Sequence, residues 1–117
     1  MTDHHIQRVD IDVLQERMEA AIPMSVIRTI NDKLFNASSN GDGNYTMTVI
    51  EGESDFDDKV IKFRYAIIVY YERRGIHTEF SLSNDYIIIN QNNDKDVYEI
   101  TFSWSHTNWR NPKVSKL

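Results

Sequence analysis

The stretch KVIKFRYAIIVYYERR, residues 59–74, constrains the fold of this chain more than any other. It contains the longest apolar run, Ala66 to Tyr71, far short of the ~20 residues that cross a bilayer, so it calls for burial inside a folded domain. Its odd positions, Ile61, Phe63, Tyr65, Ile67, Val69 and Tyr71, are all apolar or aromatic. That period of two predicts a long strand with those residues on the core face. Lys62 and Arg64 open the other face and Ala66, Ile68 and Tyr70 continue it, an apolar area of the kind that marks an interface when exposed.

Other segments fit around this strand. From Asn44, the residues Tyr45, Met47 and Val49 alternate with threonines, which predicts a strand before it. Gly75 turns the chain into a third strand, with Ile76, Thr78, Phe80 and Leu82 alternating with His77, Glu79 and Ser81. DYIIIN reads as a short fourth strand, and Tyr98, Ile100, Phe102 and Trp104 mark a fifth. Upstream the period is helical: Ile11, Leu14, Met18 and Ile22 follow a capping-box-like Asp12 and Gln15. Pro23 interrupts, and Val26, Ile27, Ile30 and Leu34 resume the stripe.

The expected fold is therefore α+β: two N-terminal helices, or one kinked helix, packed on a five-stranded antiparallel meander. One domain spans 1–117, with an arm at 1–8, a helical region at 9–38, the sheet at 44–105 and a basic tail at 106–117. The order of elements is similar to wrapped-helix folds of the cystatin or nuclear-transport-factor-2 kind, a likeness of fold that carries no function with it.

Composition narrows the function classes. The absence of cysteine removes disulfides, thiolate metal sites and thiol nucleophiles. The start MTDHHIQRVD lacks a basic region followed by an apolar run, so no secretory signal is expected and the cytoplasm is the expected location. A net charge of −5 disfavours phosphate-backbone binding, so no direct nucleic-acid partner is expected. Residues 1–58 hold twelve acids against four bases, whereas 59–117 hold six against nine, a split that can steer a basic partner to one side. Fourteen isoleucines and ten asparagines suggest an AT-rich coding genome, bacterial or viral.

Candidate chemistry is sparse. Asn40, Asp42, Asn44 and Glu51 match positions 1, 3, 5 and 12 of a calcium loop, but Tyr45 stands where its sharp turn needs glycine. His4, His5, His77 and His106 are the imidazoles available to a metal, and none has the spacing of a zinc motif. His77, Glu79, Glu99 and Glu72 are the best-placed acid/base groups, without a spacing that sets them apart from polar alternation. No nucleophile elbow, phosphate loop or HExxH is present. No enzymatic activity, cofactor or metal is expected.

Contact surfaces are the better candidates. EGESDFDD, residues 51–58, sets Phe56 among five carboxylates. An aromatic anchor ringed by acids suits a basic pocket, the ring giving desolvated area and the charges giving on-rate. The expected function is a small acidic, non-enzymatic protein-binding module with contacts at Glu53, Asp55, Phe56, Asp57 and Asp58. Such a module would occlude a basic site on another protein, as immunity proteins and viral anti-defence inhibitors do. One alternative is an assembly subunit that forms a homo-oligomer, such as a homodimer, through Ile68, Tyr70, Tyr86 and Ile88. Another is a small-ligand or enzymatic pocket between helices and sheet.

Overall fold

The computed structural model describes residues 9–105, apart from the side chain of Tyr86. The arm at 1–8 and the tail at 106–117, with His4, His5 and His106, lie outside the described residues. Helices α1 (Ile11–Ala21) and α2 (Met24–Ser39) precede strand β1 (Asn44–Ile50). Helices α3 (Asp55–Lys62) and α4 (Arg64–Glu72) follow, then β2 (His77–Leu82), α5 (Tyr86–Gln91) and β3 (Val97–Ser103).

The two N-terminal helices form as expected, broken at Pro23, which caps α2. Asp10, rather than Asp12, caps α1, its carboxylate accepting from the Val13 N–H at 3.0 Å. The α2 stripe of Val26, Ile27, Ile30 and Leu34 is buried throughout. The α1 stripe is not: Ile11 is 68% exposed and Leu14 is also exposed. α1 engages the core through the partly buried Met18, and the buried Ile22 follows at its C-cap.

The five-stranded meander is corrected to three strands in the order β1-β3-β2. Central β3 pairs antiparallel with both neighbours, Met47 opposite Ile100 and Phe80 opposite Ile100. β1 and β2 therefore run parallel to each other, and α3 with α4 supplies the long crossover that parallel strands require. The expected second strand is these two helices, and the expected fourth strand, DYIIIN, is α5.

The physical reason is that residues 59–74 satisfy both periods. In α4 Ile67 and Tyr71, four apart, form a buried helical stripe with Ala66 beside it, and Val60 is buried in α3. Tyr65, which an alternating strand would place inside, is 64% exposed. Sixteen extended residues would run ~50 Å, far beyond the usual strand, whereas two helices fold the same apolar content onto the sheet. The flanks decide it. Ser54 caps α3, Arg64 closes it by donating from Nη1 to the Ile61 carbonyl at 2.8 Å, and Gly75 leaves α4 with φ +84°. For α5 the Asp85 carboxylate accepts from the N–H groups of Ile87 and Ile88.

The core lies between the helices and one sheet face. Ile30, Val60, Ile67, Ile100 and Phe102 have no exposed surface. Burying side chains of this kind contributes about 1.5–3 kcal/mol each. Tyr71 ties the layers together: its ring meets Phe102 edge-on at 5.1 Å and its hydroxyl donates to Asn31 Oδ1 at 2.7 Å. The other face is polar, with Thr46 and Thr101 hydroxyls 2.9 Å apart across β1 and β3. Glu79 and Ser81 of β2 share that face with Glu99 of β3.

Candidate functional site

EGESDFDD is the start of a helix as much as a surface. Ser54 Oγ accepts from the Asp57 N–H at 3.0 Å and donates to Asp57 Oδ1 at 2.8 Å, a reciprocal cap. Asp57 Oδ2 accepts from the Ile50 N–H at 2.9 Å, and Asp58 Oδ1 accepts from Gly52 N–H at 2.7 Å. Asp55, Asp57 and Asp58 occupy the first turn of α3, where the helix dipole favours negative charge. Phe56 is partly buried and packs against the core. Glu53 and Asp55 remain exposed, Asp55 in a surface pair with Lys59 at 2.9 Å.

The fold adds acids from elsewhere to this end. Glu51 N–H donates to the Asp96 carbonyl, which brings the loop of Asp94, Lys95 and Asp96 against the turn. Acids from both halves of the sequence thus gather at one end of the sheet, with Lys59 and Lys95 among them. The calcium spacing does not assemble. β1 separates Glu51 from Asn40 and Asp42, which stand at its opposite end.

Three of the four acid/base candidates do meet. His77 Nδ1 lies 2.9 Å from Glu72 Oε2, and Nε2 lies 2.8 Å from Glu79 Oε1. Glu72 Oε2 also accepts from the Thr78 N–H at 2.8 Å. Hydrogen bonding to Glu79 is the largest influence on His77; burial opposes it, and the charge and hydrogen bond of Glu72 help to bring the pKa out above its ordinary value. A neutral imidazole has one N–H, so making both bonds requires the cation, which is a clamp rather than a poised base. Glu99 is not part of it, standing opposite Ser81. Among the described residues no three His, Asp or Glu side chains are placed to hold a metal ion.

Two grooves flank α4. The first, of ≈ 250 Å³, lies between α2 and α4 and is walled by Leu34, Phe35, Tyr70, Tyr71, Ile76 and Trp104. Phe35 is 70% exposed at its rim. Arg74 shares that rim, its guanidinium 3.6 Å from the Tyr70 ring and bonded to Glu19 Oε1 at 2.8 Å. Arg73 also bonds Glu19. Burial alone would raise the Glu19 carboxyl, but the hydrogen bonds from Arg74 and Arg73 outweigh it and hold the pKa below its ordinary value. The second groove, of ≈ 290 Å³, runs between α4 and β2.

The expected oligomer face is not one surface. Ile68 lines the second groove and Tyr70 the first, so the two sit on different sides of α4 rather than on an open strand. Ile88 is half-buried on α5, and the side chain of Tyr86 lies outside the described set. Sequence reasoning passed over Phe35, Arg74 and, as a surface residue, Trp104. Phe35 did carry a signal: a large aromatic one position off the Leu34 stripe has no place in the α2 core face. No family model, curated protein or solved structure matches the chain.

Proposed function

We propose that the protein is a small acidic, non-enzymatic module that docks onto another protein. The α2–α4 groove carries this reading. Its ≈ 250 Å³ falls below the roughly 300–1,000 Å³ of small-molecule sites and suits one inserted side chain. Its aromatic walls, with Phe35 standing proud, have the make-up of an interface hot spot. The acidic end, with Glu53 and Asp55 exposed, would speed encounter with a basic partner, in keeping with an inhibitor that occludes a basic site. Asp57, Asp58 and Phe56 contribute there by holding the turn rather than by direct contact.

The test is affinity capture from the cells that make the protein, comparing wild type with Phe35→Ser and Trp104→Ala. Loss of one captured protein from both variants, with circular dichroism unchanged, supports groove docking. Equal recovery from all three refutes it. Loss on a double Glu53→Gln, Asp55→Asn variant but not on Phe35→Ser would move the contact to the acidic end.

A further inference from the structure

The second groove lies beside a free strand edge. β2 is an outer strand of the sheet, and its outward backbone groups can be identified from the ladder. Ser83 N–H donates to the Val97 carbonyl at 2.8 Å, so the alternation of an antiparallel pair turns Ser81, Glu79 and His77 toward β3. Thr78, Phe80 and Leu82 then point their N–H and C=O groups outward. The Thr78 N–H confirms the phase, since Glu72 Oε2 caps it from outside the sheet. Among the described residues no partner meets the outward groups of Phe80 and Leu82.

The opposite edge differs. On β1 the outward N–H of Ile50 is taken by Asp57, and its carbonyl accepts from Glu53 N–H at 3.1 Å. Thr46 and Thr48 remain, exposed and without a charged residue beside them along the strand. Among the described residues the β2 edge combines open backbone groups with a groove for side chains. Arg64, Tyr65, Ile68, Phe80, Leu82 and Tyr98 line that groove, with Tyr65 and Leu82 (59%) exposed.

Arg64 sets the chemistry of the occupant. Its guanidinium lies 4.8 Å from the Tyr65 ring and 5.6 Å from the Tyr98 ring, and no carboxylate of the described residues pairs with it. Tyr98 stands opposite Leu82 in the sheet, so the cation is at the Leu82 end and the apolar wall of Ile68 and Phe80 lies beside it. A strand laid along β2 would send alternate side chains into this groove.

We propose that the free edge of β2 is a strand-addition site for an extended segment of a partner protein. The segment presents to the groove an apolar side chain and, two residues along, a carboxylate that pairs with Arg64. Main-chain bonds to Phe80 and Leu82 give the affinity, and the groove gives the choice of sequence. The site uses the opposite side of α4 from the Phe35 groove and stands or falls separately from it.

The probe is a blocked heptapeptide, Thr-Val-Thr-Asp-Thr-Val-Thr, which reads the same in both strand directions. It is titrated into the full-length ¹⁵N-labelled protein by NMR. Saturable amide shifts at Phe80 and Leu82 are expected, with about tenfold weaker binding of a peptide carrying lysine for aspartate. The same sequence N-methylated throughout should not bind, since it has no N–H to donate. Arg64→Glu should reverse the preference between the aspartate and lysine peptides. Absence of shifts at the β2 edge, equal affinity for the two charges, or binding of the N-methylated peptide would overturn the proposal. So would peptide-independent, concentration-dependent shifts at Phe80 and Leu82, which would assign the edge to a second copy of this chain.

Discussion

Asp57 is the most sharply testable residue of the acidic stretch, because the fold gives one carboxylate two separate partners. Replacing it by alanine removes the bond from the Ser54 hydroxyl, the bond from the Ile50 N–H, and a charge from the first turn of α3. The lost bond from the Ser54 hydroxyl and the lost dipole interaction cost about 1 kcal/mol, and an edge N–H left without its acceptor about 1 kcal/mol more. Asp57→Ala should therefore lower the unfolding free energy by about 2 kcal/mol, equivalent to a fall in Tm of about 8 °C for a domain of this size. Asp55→Ala is the internal control. Its exposed pair with Lys59 and its place in the first turn of α3 predict a loss below about 1 kcal/mol. Urea denaturation followed by far-ultraviolet circular dichroism measures both, with equal m-values licensing the comparison. If the two variants differ by less than about 0.5 kcal/mol, the capping account of EGESDFDD is wrong and its acids are free for other work.

Three further outcomes follow from the same structure. Ile67→Ala should cost about 3–4 kcal/mol, and Tyr65→Ala less than about 1 kcal/mol, in the same urea assay; comparable losses would restore a strand with both residues inside. The raised His77 pKa means the folded state holds its proton more tightly than the unfolded chain, whose value is near 6.5. The stability that His77→Gln removes should be fully present below pH 6.5 and fade as pH rises through the folded-state pKa. It should stay under about 1 kcal/mol because the side chain is 38% exposed, and NMR titration of the imidazole reads the sign directly. Glu19→Ala frees Arg73 and Arg74 from α1, so hydrogen exchange should quicken in α1 more than in α2, and an equal change in both would contradict the anchoring of α1 by Glu19.

The sequence was most legible where only one period fitted. Tyr45, Met47 and Val49 alternate with threonines, and Phe80 and Leu82 alternate with Glu79 and Ser81, so those strands and their core faces follow from pattern. Residues 59–74 are apolar on nearly every side, and there the pattern loses its power to choose. Length and flanks held the answer: Ser54 three residues before Asp57 is a helix start, and a sixteen-residue strand is too long for a small domain. A strand over 59–74 leaves only short connections, which imply a meander and hide the β1-β3-β2 order. Exposure of Ile11 and Leu14 is a tertiary outcome, set by how little of α1 rests on the body. Of the contact residues, Glu79 beside His77 was readable from an i, i+2 spacing, whereas Glu72 joins them only because the turn at Gly75 reverses the chain.

The central functional claim is that Phe35 and the groove behind it meet another protein. Its most direct measurement is photocrosslinking in the producing cells, with a photoreactive phenylalanine analogue at position 35 and, as an exposed control, at position 87. A discrete adduct with one other protein from position 35, absent from position 87, is the predicted result. An adduct with a second copy of the chain, the same adducts from both positions, or none at all would contradict it.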